Sequence, residues 1–311
     1  MNNTLQLHGV YSAQLIPTDE SGRLDRPALK AIIDFERQAG IDGILALGST
    51  GGFPHFSESE RTEVLAAVVE LADGLPVIAN ISHVGPNKAV QLGKAAAGCG
   101  CPVVAMMAPM YYKMTQADLL AHFLYVAERV NLPVMLYNFP ELSGKRIELS
   151  TIADFAGRAA MAGIKQSGAE FAYHQELVAL GRQKGFTVLT GADTRLVEAF
   201  ELGVAGCIGG FVNFVPDLAV KIYRAYGERD LKRAAEAGSC MADIGKLIEQ
   251  VTFPLNIAGG VEARGFKPGY PKSAVSPQTR DAYLSMVVRL RRLFDERGLR
   301  SAQVSDPDEG S

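Results

Sequence analysis

Eight short apolar runs, each followed by a segment of helical periodicity, constrain this chain more than any other feature. Runs at Val10–Ile16, Gly43–Leu47, Val77–Asn80, Val103–Met107, Val134–Tyr137, Ala162–Lys165, Thr187–Leu189 and Ala205–Ile208 read as strands. They are nearly continuous in apolar residues, the pattern of strands covered on both faces. Between them Pro27–Gln38, Ser57–Leu71, Asn87–Ala97, Gln116–Val130, Ser150–Ala156, Phe171–Gln183 and Thr194–Leu202 read as amphipathic helices. Asp25 is placed to cap the first, and Ser57-Glu58-Ser59-Glu60 carries a capping-box pattern. Strand–helix alternation predicts a parallel α/β fold, and eight repeats favour a closed (β/α)8 TIM barrel. A doubly wound open sheet is the alternative, weakened because no G-x-G-x-x-G follows the first strand.

After Pro216 the alternation stops. Asp217–Tyr226, Leu231–Glu249 and Pro277–Glu296 read as helices, with an irregular stretch over 258–271. The expected organisation is a barrel carrying the active site over 1–215, a C-terminal helical extension over 216–300, and a disordered polar tail over 301–311.

Composition narrows the function classes. The 311 residues carry a net charge of −3 and no basic stripe, which argues against nucleic acid as a partner. No apolar stretch reads as a membrane span, and the first eight residues lack a signal-peptide core. Cys99, Cys101, Cys207 and Cys240 are scattered, which fits reduced thiols and a cytoplasmic protein. His8, His55, His83, His122 and His174 show no metal-ligand spacing, so no metal site is expected. No dinucleotide fingerprint is present, so no organic cofactor is expected either.

Lys165 ends a β-propensity run and is followed by Gln166-Ser167-Gly168. An ammonium at the edge of an apolar core loses hydration, which favours the neutral amine, and a neutral amine attacks carbonyls. The plainer reading is a lysine whose stem packs on the barrel and whose head reaches water. Catalytic groups of such barrels lie at the C-terminal ends of strands. Those ends here read Gly48-Ser49-Thr50-Gly51-Gly52, Pro109-Met110-Tyr111-Tyr112, Tyr137-Asn138-Phe139-Pro140, Lys165 to Gly168, Gly191-Ala192-Asp193 and Gly209-Gly210. The Gly48–Gly52 turn can present backbone N–H groups to a carboxylate or phosphate, or can simply be a tight turn. Tyr137 would stand on the strand next to Lys165, where a phenol can relay protons; core packing is its plainer role. His55 could reach a substrate or lie in solvent.

As a set, Gly48-Ser49-Thr50-Gly51, Tyr137-Asn138-x-Pro140 and Gly-Ile-Lys165-x-Ser-Gly resemble the dihydrodipicolinate synthase/N-acetylneuraminate lyase family of pyruvate-dependent class I aldolases. The resemblance runs from Gly9 to about Gly298. It implies a pyruvate Schiff base on Lys165, Tyr137 as proton relay, and Ser49, Thr50 and Gly51 around the pyruvate carboxylate. It further implies Tyr111 as a tyrosine offered across a dimer interface, and a homotetramer built as a dimer of dimers. Substrate contacts would come from Ser167, Gly191, Asp193, Leu142 and Gly210.

Departures from the family pattern bear on substrate. Synthases of the lysine pathway carry an arginine where Leu142 stands, and leucine cannot grip a carboxylate. Sialic acid lyases carry Asp-Glu where Asp193-Thr194 stands and serine where Gly210 stands. The family's Gly-rich motif commonly ends in an acidic residue, and here it ends in Gly52. The expectation is a lyase or aldolase acting on a 4-hydroxy-2-oxo acid such as a 2-keto-3-deoxy sugar acid, with pyruvate and an aldehyde as partners. Alternatives are a dehydratase using the same imine, a 4-hydroxy-tetrahydrodipicolinate synthase, and a ligand-binding barrel without catalysis.

Overall fold

The computed structural model describes residues 7–299; the tail expected to be disordered lies outside them. Eight parallel strands close into a barrel in chain order. They are β1 (Gly9–Ala13), β2 (Gly43–Ala46), β3 (Val77–Asn80), β4 (Val103–Met107), β5 (Val134–Asn138), β6 (Met161–Gln166), β7 (Thr187–Thr190) and β8 (Gly206–Gly209). The helices are α1 (Arg26–Ala39), α2 (Glu58–Ala72), α3 (Pro86–Gly98), α4 (Gln116–Val130), α5 (Pro140–Ser143), α6 (Leu149–Ala156), α7 (Tyr173–Lys184), α8 (Leu196–Glu201), α9 (Pro216–Gly227), α10 (Leu231–Ile248), α11 (Leu255–Ala263) and α12 (Pro277–Glu296). The (β/α)8 barrel expected from the alternation is therefore the fold.

Side chains alternate across each strand, so the barrel has two apolar layers. Tyr11, Ala13, Leu45, Ile78, Met135 and Leu189 are among those filling the interior. Val10, Ile44, Val104, Leu136, Ile164 and Val188 face the helices. The caps read in the sequence form: Asp25 accepts from Ala28 N at 3.1 Å, and Ser57 and Glu60 make the reciprocal pair that opens α2.

Several elements differ from the sequence reading, among them the short helix α5, the end of β1 and the stretch after residue 258. β1 ends at Ala13 although the apolar run continues to Ile16. Beyond it a side chain replaces the strand partner: Leu15 N donates to Asn213 Oδ1 at 2.7 Å. The stretch read as irregular from residue 258 belongs in part to a helix, α11, which continues through Gly259-Gly260 to Ala263. Those glycines serve close packing. A Cβ on Gly260 would sit 2.6 Å from the Phe214 ring, and one on Gly259 would sit 2.2 Å from Met286. Further, α9 packs on β1 and α1. The barrel's outer ring of helices thus runs on past residue 215, where the alternation in the sequence stops.

One buried acid stands out in the barrel wall. Glu36, on α1, is sealed from solvent and accepts from Ser12 Oγ at 2.6 Å. Burial raises its carboxyl to about 8, against the smaller opposing effect of hydrogen bonds from Ser12 and Gln14. Glu36 Oε2 and Gln14 Oε1 are both buried acceptors without a donor. A proton on Glu36 removes the cost of a buried charge.

A raised folded-state pKa means the folded protein holds a proton that the unfolded chain releases near 4.5. The associated stability is fully present below pH 4.5 and is lost as pH rises towards 8. Denaturant unfolding measured from pH 5 to pH 8 is expected to show the wild type losing stability relative to Glu36→Gln. Parallel pH curves for the two proteins would show that Glu36 is ionised in the fold.

Candidate active site

The placement of Lys165 depends on a bulge. Val134 pairs with Met161, but Met135 pairs with Gly163, so β6 spends one extra residue, Ala162, against one step of β5. A residue added to one strand reverses which face the following side chains take. Ala162 packs with the interior group; two residues on, Ile164 packs with the helix-facing layer. Lys165 then pairs with Tyr137 on one side and Leu189 on the other, both interior positions. Gly163 permits this, since a Cβ there would meet Thr187 O of β7 at 2.8 Å.

Lys165 and Tyr137 are therefore buried together at the C-terminal mouth of the barrel, 4% and 2% exposed. Lys165 Nζ lies 4.5 Å from the centre of the Tyr137 ring. The Tyr137 hydroxyl is 3.3 Å from Ser49 Oγ, which also lies 3.9 Å from Met107 Sδ. This gives a line from the amine, past the phenol, to the hydroxyl turn after β2. The plainer reading of Lys165, with its head in water, does not hold.

The hydroxyl turn is held by residues that carried no signal of their own. Leu47, just before it, has φ 55°, in the left-handed region. Asn80 Nδ2 donates to the Leu47 carbonyl at 2.7 Å. Arg61, buried on α2, donates to the carbonyls of Asn80 and Ser82 at 2.8 and 3.0 Å. Gly51 is needed because a Cβ would lie 2.9 Å from Gln14 O. Thr50 is buried, with Oγ1 3.6 Å from where a Cβ on Gly210 would be.

A second support lies behind Tyr137 and Lys165. Asn138 Nδ2 donates to Gln166 Oε1 at 2.7 Å, linking the ends of β5 and β6, and Asn138 Oδ1 accepts from Ile147 N at 2.9 Å. The motif around Tyr137 contained Asn138; the role of Gln166 was not foreseen.

Asp193 closes the far side. Its Oδ2 accepts from Gly210 N at 3.0 Å, while Oδ1 is sealed from solvent without a donor, although other parts of the residue stay half-exposed. Burial raises its carboxyl to about 6, and the Lys165 charge opposes that rise. Gly209 leaves room for Oδ1, which a Cβ there would meet at 2.0 Å. Ser167 is buried beside Gly191.

Leu142 stands on the short α5, 41% exposed. Its neighbour Glu141 accepts from Ala169 N at 2.6 Å, which ties this loop to the turn after β6. Tyr111 is 88% exposed at φ 78°, edge-on to Tyr112. Within one chain it is not part of the buried group. His55 is exposed beyond Gly52. Among the described residues, no group of three or more His, Cys, Asp or Glu is placed to hold a metal ion. Nor, among them, is any helix long and apolar enough to cross a membrane.

The (β/α)8 barrel is that of a lyase, a class set by the family and the relatives that the chain matches. The chain belongs to the dihydrodipicolinate synthetase family, whose sequence model matches residues 6–293. It is 31% identical over 242 residues to YagE of Escherichia coli K12, named provisionally a 2-dehydro-3-deoxy-D-gluconate aldolase; the match covers 76% of this chain and 80% of YagE. It is also 31% identical over 255 residues to a 4-hydroxy-tetrahydrodipicolinate synthase of Maridesulfovibrio salexigens, covering 81% and 87%. The crystal structure of YagE in complex with pyruvate superposes with a TM-score of 0.86 at 28% identity, covering 93% of this chain and 99% of that one.

Gly191 tests how tightly this mouth is built. A Cβ there would lie 2.1 Å from Ser167 Oγ and 3.1 Å from Lys165 Cε. Gly191→Ala is expected to cost about 1–3 kcal/mol of stability, as overpacking does. A crystal structure of the variant should show Ser167 rotated and Lys165 displaced. Finding both side chains where they are now, with unfolding unchanged, would refute the packing account.

Proposed function

We propose that the protein is a Schiff-base lyase or aldolase that cleaves or forms a 4-hydroxy-2-oxo acid, a 2-keto-3-deoxy sugar acid being the type that fits, with pyruvate held on Lys165. The observation that carries this reading is the burial of Lys165 against Tyr137 at the barrel mouth, which the bulge in β6 produces. In the cleavage direction the Lys165 amine adds to C2 of the oxo acid, and Tyr137 gives its phenolic proton to the carbinolamine hydroxyl, which leaves as water to form an iminium beside the phenolate. The C3–C4 bond breaks, its electron pair passes to the iminium nitrogen, and the C4 hydroxyl proton goes to Tyr137. The enamine takes a proton at C3, and hydrolysis releases pyruvate and the free amine. Ser49 and Thr50 hold the carboxylate, and Ser49 supports the Tyr137 hydroxyl at 3.3 Å. The scheme uses no metal and no organic cofactor.

Substrate choice rests on Leu142, since no cation stands at the place where lysine-pathway synthases offer arginine. YagE's name supports the sugar-acid side and the Maridesulfovibrio salexigens synthase supports the other, so the two compete. The exposed Tyr111–Tyr112 pair supports an interface that completes a neighbouring site in a homotetramer, which light scattering tests.

Borohydride added with pyruvate, after dialysis against a chelator, is expected to inactivate the enzyme and tag one peptide containing Lys165. Lys165→Ala should abolish turnover, and Tyr137→Phe should keep the fold and lose roughly 10²–10⁴-fold in rate. A tag on another lysine, or normal turnover by the phenylalanine variant, would overturn the assigned roles.

With aspartate semialdehyde plus pyruvate the wild type should be poor. A charged hydrogen bond contributes roughly 1.5–3 kcal/mol, about ten- to a hundred-fold. Leu142→Arg should regain part of that and harm neutral polyol aldehydes. Efficient formation of the dihydrodipicolinate precursor by the wild type would instead make this a lysine-pathway synthase.

A further inference from the structure

The side-chain alternation of β5 carries on one step beyond Tyr137. With Tyr137 turned into the barrel and Asn138 turned out to Gln166, Phe139, still extended at φ −145°, turns in again nearer the mouth. Its ring centre lies 6.2 Å from that of Tyr137. Phe253, in the segment that precedes α11, stands 6.4 Å from Phe139 in turn, edge to face. Tyr137 is buried, Phe139 half-buried and Phe253 exposed, so the three rings step from the phenol to solvent. Leu142 N donates to the Phe139 carbonyl at 3.1 Å, which puts an exposed leucine on the same turn. Barrel and C-terminal extension thus build one apolar rim beside the proton relay.

Polar groups near this rim are engaged elsewhere. Glu141, next to Leu142, takes Ala169 N at 2.6 Å. Asp193 has one oxygen on Gly210 N at 3.0 Å and the other sealed from solvent. Gly210 has no side chain to offer a hydroxyl. Rings left partly in water gain when apolar surface covers them, whereas a hydroxyl pressed against them gives up its hydrogen bonds to water.

In the cleavage scheme the C4 hydroxyl of the substrate lies at the Tyr137 hydroxyl. The barrel interior below is filled by Met135, Leu189 and their neighbours, so whatever C4 carries runs outward, and Phe139 is the next side chain on that path. We propose that Phe139 and Phe253 are specificity-determining residues that select an aldehyde half ending in an apolar group. Among 2-keto-3-deoxy sugar acids the class so favoured ends in a methyl in place of a hydroxymethyl group. The proposal rests on the Schiff-base reading for the placement of C4. The aldehyde half stays uncharged, in keeping with Leu142.

Aldehydes matched in length test this in the condensation direction with pyruvate. Lactaldehyde is compared with glyceraldehyde, and 4-deoxyerythrose with erythrose, each pair differing by one terminal hydroxyl. In kcat/KM the wild type should favour the methyl-ended member of at least one pair by about tenfold. A preference in the shorter pair reports contact with Phe139, and one in the longer pair contact with Phe253. Phe139→Gln or Phe253→Gln, at the ring that reports, should bring the ratio close to one. The leucine variant at the same position, similar in size and apolar, should keep most of it. If the rings only brace Tyr137, the glutamine variants lower kcat for both members alike and the ratio survives, which overturns the proposal. A wild-type ratio near one in both pairs overturns it as well, as does failure to turn over any of the four aldehydes by an enzyme that traps pyruvate. Borohydride trapping with pyruvate alone, on the same preparations, separates the two readings. An adduct without a preference rejects the apolar end and retains the imine; no adduct in the wild type rejects the imine and this proposal with it.

Discussion

Everything at the mouth of this barrel depends on one unpaired step between β5 and β6. In a closed barrel the pleat decides whether a side chain enters the interior or the helical layer, and the two environments differ sharply for an amine. Continuing the alternation from Ala162 without the bulge would put Ile164 inside and Lys165 among apolar helix-facing groups. The extra residue reverses this, setting Lys165 beside Tyr137 and Leu189. Gly163 makes the reversal possible by letting β7 approach its backbone closely.

Around that step the polar contacts are layered. Asn138 and Gln166 join the two strands on the outer face, so the interior pair cannot shift independently. Arg61 and Asn80 hold the β2 end in a left-handed turn that brings Ser49 to the Tyr137 hydroxyl. Asp193 brings a carboxyl group, raised by burial to about 6, to the β8 end. Preorganisation of this kind leaves little to rearrange when charge develops at a bound carbonyl.

The barrel was legible because continuous apolar strands alternate with helical periodicity eight times, a local signal that the caps at Asp25 and Ser57 reinforce. Lys165, Tyr137 and the Ser49–Gly51 turn could be picked out as candidates because each stands at or just beyond the C-terminal end of a strand. The supporting residues could not. Arg61 reads as an ordinary charge on a helix, and Gln166 as a linker beside a lysine, until the strands are paired. Gly259 and Gly260 lie in the stretch read as irregular, yet they admit Met286 and Phe214 against α11, a requirement set by residues distant in sequence. The bulge escaped for the same reason, since an unpaired residue exists only relative to its neighbouring strand.

The tie between Glu141 and Ala169 N joins the loop that carries Leu142 to the turn after β6. Gly168, at φ 96°, lies so close to Glu141 that a Cβ would fall 2.0 Å from its Oε2. Loop grafting between relatives would therefore move two parts at once. A donor loop without an acid at position 141 would free the end of the lysine-bearing strand, and a host without glycine at position 168 would reject the acid. The two segments form one exchangeable module, and sequence divergence in one is constrained by the other.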